Sequence, residues 1–169
     1  AKRPGGYLPS GRVSVRRYDG ETLPYNDNLV NFVFMNESER VSENEILRIL
    51  VPGGTACLES QGEWKELVKE VPKEIDDWPC SLYSADGNAV SRDTAVGPPE
   101  HLQWFAEPRF GRHHEHMSSV SAVVSAGGRL FSIVDEGSNY SIMLPADWKL
   151  VARDAYNGSI LWKRRIPQW

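Results

Sequence analysis

Residues 150–164, LVARDAYNGSILWKR, constrain the fold more than any other stretch of the chain. Two short strand-like runs flank Tyr156-Asn157-Gly158-Ser159, and Asn-Gly is the strongest short-range signal for a hairpin. Both central residues of a type I′ turn need positive φ, which glycine adopts freely and asparagine more readily than most residues. The spacing predicts two antiparallel strands closed by a type I′ turn at Asn157-Gly158. Asp154 is placed to accept hydrogen bonds from the turn amides, and Trp162 offers a large flat surface on which an adjacent sheet can pack.

The residues upstream extend this unit. Residues 118–125, SSVSAVVS, are rich in β-branched and small side chains; Ala126-Gly127-Gly128 breaks the run, and 129–135, RLFSIVD, alternates as a half-buried strand does. Residues 138–148 read as a loop between strands, for which a structural crossover is favoured over a partner contact. With the hairpin, four antiparallel strands result. The spacing of Ala152, Asp154, Ala155, Gly158 and Trp162 resembles the repeat signature of PQQ-like (quinoprotein-type) β-propellers. Asp77-Trp78 with Tyr83, Asp86 and Asn88, then Pro98-Pro99 and Leu102-Gln103-Trp104, is similar to the lead-in of such propellers. The resemblance implies a first blade, and a periplasmic or extracytoplasmic setting. It also implies either pyrroloquinoline quinone in the full-length protein or a protein or small-molecule ligand on the propeller surface. A closed propeller needs roughly four to eight blades. The chain has room for one, so it is expected to be a piece of something larger.

The N-terminal part follows a different pattern. Residues 12–18 read as a strand, 19–28 as a polar loop holding Leu23-Pro24-Tyr25, and 29–35, LVNFVFM, as an apolar strand suited to burial on both faces of a parallel sheet. Ser42-Glu43-Asn44-Glu45 is a capping box; Ile46, Leu47, Ile49 and Leu50 form the apolar face of a short helix, which Pro52-Gly53-Gly54 ends before a strand at 55–59. Residues 64–71 fit an edge strand or a short helix, stopped by Pro72. Asp19-Gly20, Leu23-Pro24-Tyr25, Asp27-Asn28 and EILRILVPGG together resemble the second half of a class I S-adenosylmethionine-dependent methyltransferase domain. The resemblance implies cofactor-binding positions at Asp19, which receives the adenine amino group, and at Gly20, which permits close approach. Where that family often carries Asp in the strand, this chain has Asn31. The glycine-rich cofactor loop belongs to the first half of that fold, so this segment is not expected to bind the cofactor usefully by itself. The fold class expected is thus an α+β composite: a partial Rossmann-like α/β sheet over residues 1–72, then a lead-in segment and antiparallel β blade over 73–169.

Composition narrows the function. A net charge of −4 with acidic and basic residues mixed throughout indicates no nucleic-acid surface. No apolar run approaches the roughly 18 residues of a membrane span, and no signal peptide is visible. Cys57 and Cys80 lack metal-type spacing; Cys57 reads as a small apolar strand residue in preference to a disulfide partner. His113, His114 and His116, with Glu115 among them, are the sharpest chemical oddity. In a strand only His114 and His116 share a face, so hydrogen-bonded histidines are favoured over a zinc or copper site. Asp135-Glu136 reads as a solvated turn and not as an acid/base pair across a cleft. Trp78 and Trp104 are assigned to packing. The reading that unites these features is a non-catalytic binding or scaffolding segment of a larger protein. The alternatives are an S-adenosylmethionine-dependent methyltransferase with its active site mainly upstream, and a quinone-dependent dehydrogenase.

Overall fold

The computed structural model describes residues 13, 15, 18, 20–36, 40–99, 102–107, 111–112, 119–141 and 143–167. Strand β1 (Val30–Met35), helix α1 (Glu43–Ile49), β2 (Leu50–Ser60) and β3 (Glu63–Val68) form a first unit whose sheet runs in the order β1-β2-β3. The β1–β2 pair is parallel and the β2–β3 pair antiparallel. Ser42 caps the helix, its Oγ accepting from the Glu45 N–H at 3.2 Å. The Glu45 carboxylate reaches back to the Leu23 N–H at 2.7 Å and takes Arg48 in two bonds of 2.7 and 2.8 Å. Arg48 donates in turn to the Leu23 and Tyr25 carbonyls and to Asp27, which fastens the polar loop to the helix. Ile46 and Ile49 of α1 meet Val33, Leu50, Ala56 and Leu58 in the core, joined by Leu23 and Val41. Each such aliphatic side chain contributes roughly 1.5–3 kcal/mol when fully buried.

Several expectations are corrected here. Val13, Val15 and Tyr18 lie outside any strand and are exposed. Strand β1 is not buried on both faces: Val33 is buried, whereas Phe32 and Phe34 are 57% and 63% exposed, because α1 covers only the Val33 side. Pro52-Gly53-Gly54 does not separate the helix from a later strand. The helix passes directly into β2 at Leu50, whose N–H donates to the Ile46 carbonyl. The Pro-Gly-Gly run instead makes an irregularity in β2, across which the β1 partner changes from Leu50 at Val30 to Thr55 at Phe32. Of the two readings for residues 64–71, the strand is realised. It is joined to β2 through Gln61 and Gly62, whose φ values of 54° and 86° suit a two-residue I′ turn.

The second unit is a separate sheet in the order β4-β5-β6-β7, antiparallel throughout: β4 (Val120–Ala126), β5 (Arg129–Asp135), β6 (Trp148–Asp154) and β7 (Ile160–Arg165). Ser132, Val134, Val151, Ala152 and Arg153 are buried in its two central strands, while every residue of β7 is exposed. On the outer side of β4, Trp78 and Ser125 exchange two bonds, and Asp77 accepts from the Gly127 N–H.

The composite of a partial Rossmann-like sheet and a propeller blade is therefore not the fold. The described residues are mostly β, with one seven-residue α-helix, a three-stranded sheet and a separate four-stranded antiparallel sheet. A Rossmann-like layer needs helices over both sheet faces; here α1 packs on one, and Phe34 and Trp64 stack on the other with ring centroids 5.0 Å apart. Among the described residues no helix is long and apolar enough to cross a membrane.

Candidate functional site

The β6–β7 turn joins the two sheets. Gly158 has φ 72°, but Asn157 does not take positive φ, so the turn is not type I′. It is a four-residue loop in which the Gly158 N–H donates to the Asp154 carbonyl and the Asp154 N–H to the Ser159 carbonyl. The Asp154 carboxylate accepts from the Tyr156 and Asn157 amides at 2.9 and 3.1 Å, as its position in the sequence suggested. Trp104 lies over Gly158 so closely that a Cβ there would sit 2.4 Å from the ring, and its indole N–H donates to the Ala155 carbonyl at 3.0 Å. That arrangement, and not type I′ geometry, demands glycine at 158.

From this turn Asn157 reaches across to β1. Its Nδ2 donates to the Leu29 carbonyl at 3.2 Å and to Asn31 Oδ1 at 2.5 Å, while Asn31 Nδ2 donates to Asp154 Oδ2 at 2.7 Å. Asn31, the position that departs from the methyltransferase pattern, is thus one half of a carboxamide clasp. Nearby, Gln103 donates to the Asp27 carbonyl at 2.6 Å. Nothing in the sequence pairs residue 31 with residue 157, because the contact closes over more than a hundred intervening residues.

Beside the clasp is a cleft of about 550 Å3 lined by Pro52, Val71, Gly127, Gly128 and Tyr156 together with Asp76, Asp77 and Asp93. These carboxylates build the walls. Asp93 accepts from the Asp76, Ala95 and Val96 amides, and Asp76 from the Arg92 amide and the Tyr83 hydroxyl. The Tyr83 hydroxyl chiefly holds Asp76 below the usual carboxylate range, and the Val96 amide does the same for Asp93. Burial, with the charges of Asp154 and Asp77, pushes the Tyr156 phenol up. Asp76 and Asp93 are thereby biased toward the charged form and Tyr156 toward the neutral phenol. Among the described residues no three His, Cys, Asp or Glu side chains converge as a metal site.

The residues singled out from the sequence fall elsewhere. Gly20 sits in a bend with φ 100° and open space where a Cβ would be, and it does not line the cleft. Asp19 lies outside the described residues, as do His113, His114, Glu115 and His116. Cys57 is half-buried in β2 and Cys80 exposed, both as free thiols. Asp135 is not a solvated turn residue: it is 2% exposed and paired with Arg112 at 2.7 Å. Its neighbour Glu136 pairs with Lys149 and Lys163. Compared with known proteins, the chain matches no family model, no curated protein and no solved structure.

Proposed function

We propose that the chain is a non-catalytic binding and scaffolding segment of a larger protein, whose sheets present packing surfaces to further polypeptide. The observation that carries this reading is the uncovered apolar face of the first sheet, with further exposed apolar side chains along the edge strands of the second. Phe32, Phe34, Trp64 and Val68 are each more than half exposed on the first, and Val120, Val123, Leu161 and Trp162 are exposed on the second. Contiguous exposed apolar surface marks interaction sites in soluble proteins. The repeat-like spacing from Ala152 to Trp162 supports the same reading, since a repeat unit keeps a face for its neighbour. Sedimentation and apolar-dye binding of the 169-residue chain test it. Dye binding and concentration-dependent self-association are expected, both reduced in Phe34→Lys and Trp162→Lys. A monomer at all concentrations that ignores the dye overturns the proposal.

S-adenosylmethionine-dependent methyl transfer is the second reading, favoured by the positive φ and open space at Gly20, three residues before Leu23-Pro24-Tyr25. Equilibrium dialysis with S-adenosylmethionine on the longer protein that carries this segment decides it: saturable binding that Gly20→Val weakens supports this reading, and its absence there overturns it.

A further inference from the structure

We propose that Asn157 is a deamidation site, held in check by the clasp it forms and, once converted, unable to form that clasp again. Asn157 precedes Gly158, and a following glycine leaves the side-chain carbonyl carbon open to attack by the next backbone nitrogen. In that reaction the Gly158 nitrogen loses its proton to base and bonds to Asn157 Cγ. The Cγ–Nδ2 bond breaks and ammonia leaves, giving a cyclic imide. Water then opens the ring at either carbonyl, giving aspartate or isoaspartate, so the net change is water in and ammonia out.

The fold opposes each part of this step. The Gly158 N–H is held by the Asp154 carbonyl at 3.0 Å. The carboxamide is fixed at both ends, its Nδ2 on the Leu29 carbonyl and Asn31 Oδ1 and its Oδ1 on the Ser159 N–H at 3.0 Å. When the clasp opens, the carboxamide nitrogen is freed from Leu29 and Asn31, and only the turn's own bonds to the Gly158 N–H and to Oδ1 still restrain the reactive pair. The product cannot return to the same place. A carboxylate has no donor, so at position 157 it faces the Leu29 carbonyl and Asn31 Oδ1 as acceptor against acceptor, with the Asp154 carboxylate just beyond Asn31. The isoaspartate form also adds a methylene to the main chain of a turn on which Trp104 is closely packed. Opening is thereby made one-way.

The test follows ammonia loss at Asn157 by peptide mass mapping of the full chain in mildly alkaline buffer, folded and in urea, beside an Asn31→Leu variant. The folded parent is expected to react about tenfold slower than the urea-unfolded chain, the factor that one or two hydrogen bonds supply. Asn31→Leu should react measurably faster than the folded parent, part of the way to the unfolded rate, while keeping its strand circular dichroism. Equal rates in parent and Asn31→Leu, or in folded and unfolded parent, overturn the proposal. Should Asn31→Leu lose its strand signal, Asn157→Asp carries the test instead. Its amide exchange over residues 29–31 should rise about tenfold by the same reasoning, and unchanged exchange there refutes the clasp.

Discussion

Asp135 shows how a single carboxylate is held ionised inside a sheet. Burial by itself pushes its pKa up, but the Asp147 and Gly137 amides and the Arg112 guanidinium outweigh that and leave it below the usual carboxylate range. Because the folded value is depressed, the pair stabilises the fold at pH above the ordinary aspartate range, and that stability is lost as pH falls through the lowered folded value. Asp135→Asn should therefore flatten the acid limb of a plot of thermal midpoint against pH, whereas a limb of unchanged steepness points to other groups. Arg112→Met leaves the buried carboxylate with its two amides but no counter-charge, at an expected cost of about 3 kcal/mol in urea titration. Gly158→Val combines a β-branched residue at positive φ, costing about 1–2 kcal/mol, with a clash against Trp104. Its destabilisation should shrink in a Trp104→Ala background; full additivity contradicts the contact. The local spacing of Asp154 before the turn made its role legible in advance. Asp135 was not, because its partner lies 23 residues upstream and sequence patterning carries no sign of which charge will meet which.

At the level of elements, local chemistry was most readable where one residue decides the outcome. Ser42 announced the start of α1, and the strands of the second sheet followed their β-branched and alternating runs closely. The errors came from signals with two meanings. Pro-Gly-Gly ordinarily stops an element, yet here Gly53 and Gly54 exchange bonds with Lys69 at the end of β3, which keeps the run in the sheet. Asn-Gly ordinarily sets a two-residue turn, but the Asp154 carboxylate gathers two turn amides and stabilises a longer loop. The I′ geometry appears instead at Gln61-Gly62, whose flanks are too charged to have drawn notice. Gln61→Asn supplies the preferred residue at that position and is expected to stabilise the chain by about 0.5 kcal/mol, seen as a higher thermal midpoint. A lower midpoint is the contrary result.

Across the whole molecule the two sheets are unequally supported. The first has a core of eight buried hydrophobic residues around α1; the second buries Val134, Val151 and Ala152. Amide exchange should accordingly be slowest in β2, β5 and β6, the strands bonded on both sides, and fastest in β3, β4 and β7. Protection of β7 equal to that of β6 speaks against the described order. Which strands neighbour one another was legible in the second sheet, where each pairing joins consecutive segments; in the first it was not, because the run at 12–18 is not a strand beside β1 and residues 64–71 suited a helix as well as an edge strand. How the sheets fasten was not, because Asn31, Gln103, Trp104 and Asn157 are ordinary surface types whose meeting is settled only in space.

The uneven step between β1 and β2 carries a consequence of its own. From Val30 to Phe32 one strand advances two residues while its partner advances five, from Leu50 to Thr55. The extra residues are held on the far side of the strand, where Gly53 and Gly54 bond to Lys69, so a change of length at this seam would be felt past the end of β3 while Phe32 against Thr55, and every rung beyond it, keeps its phase.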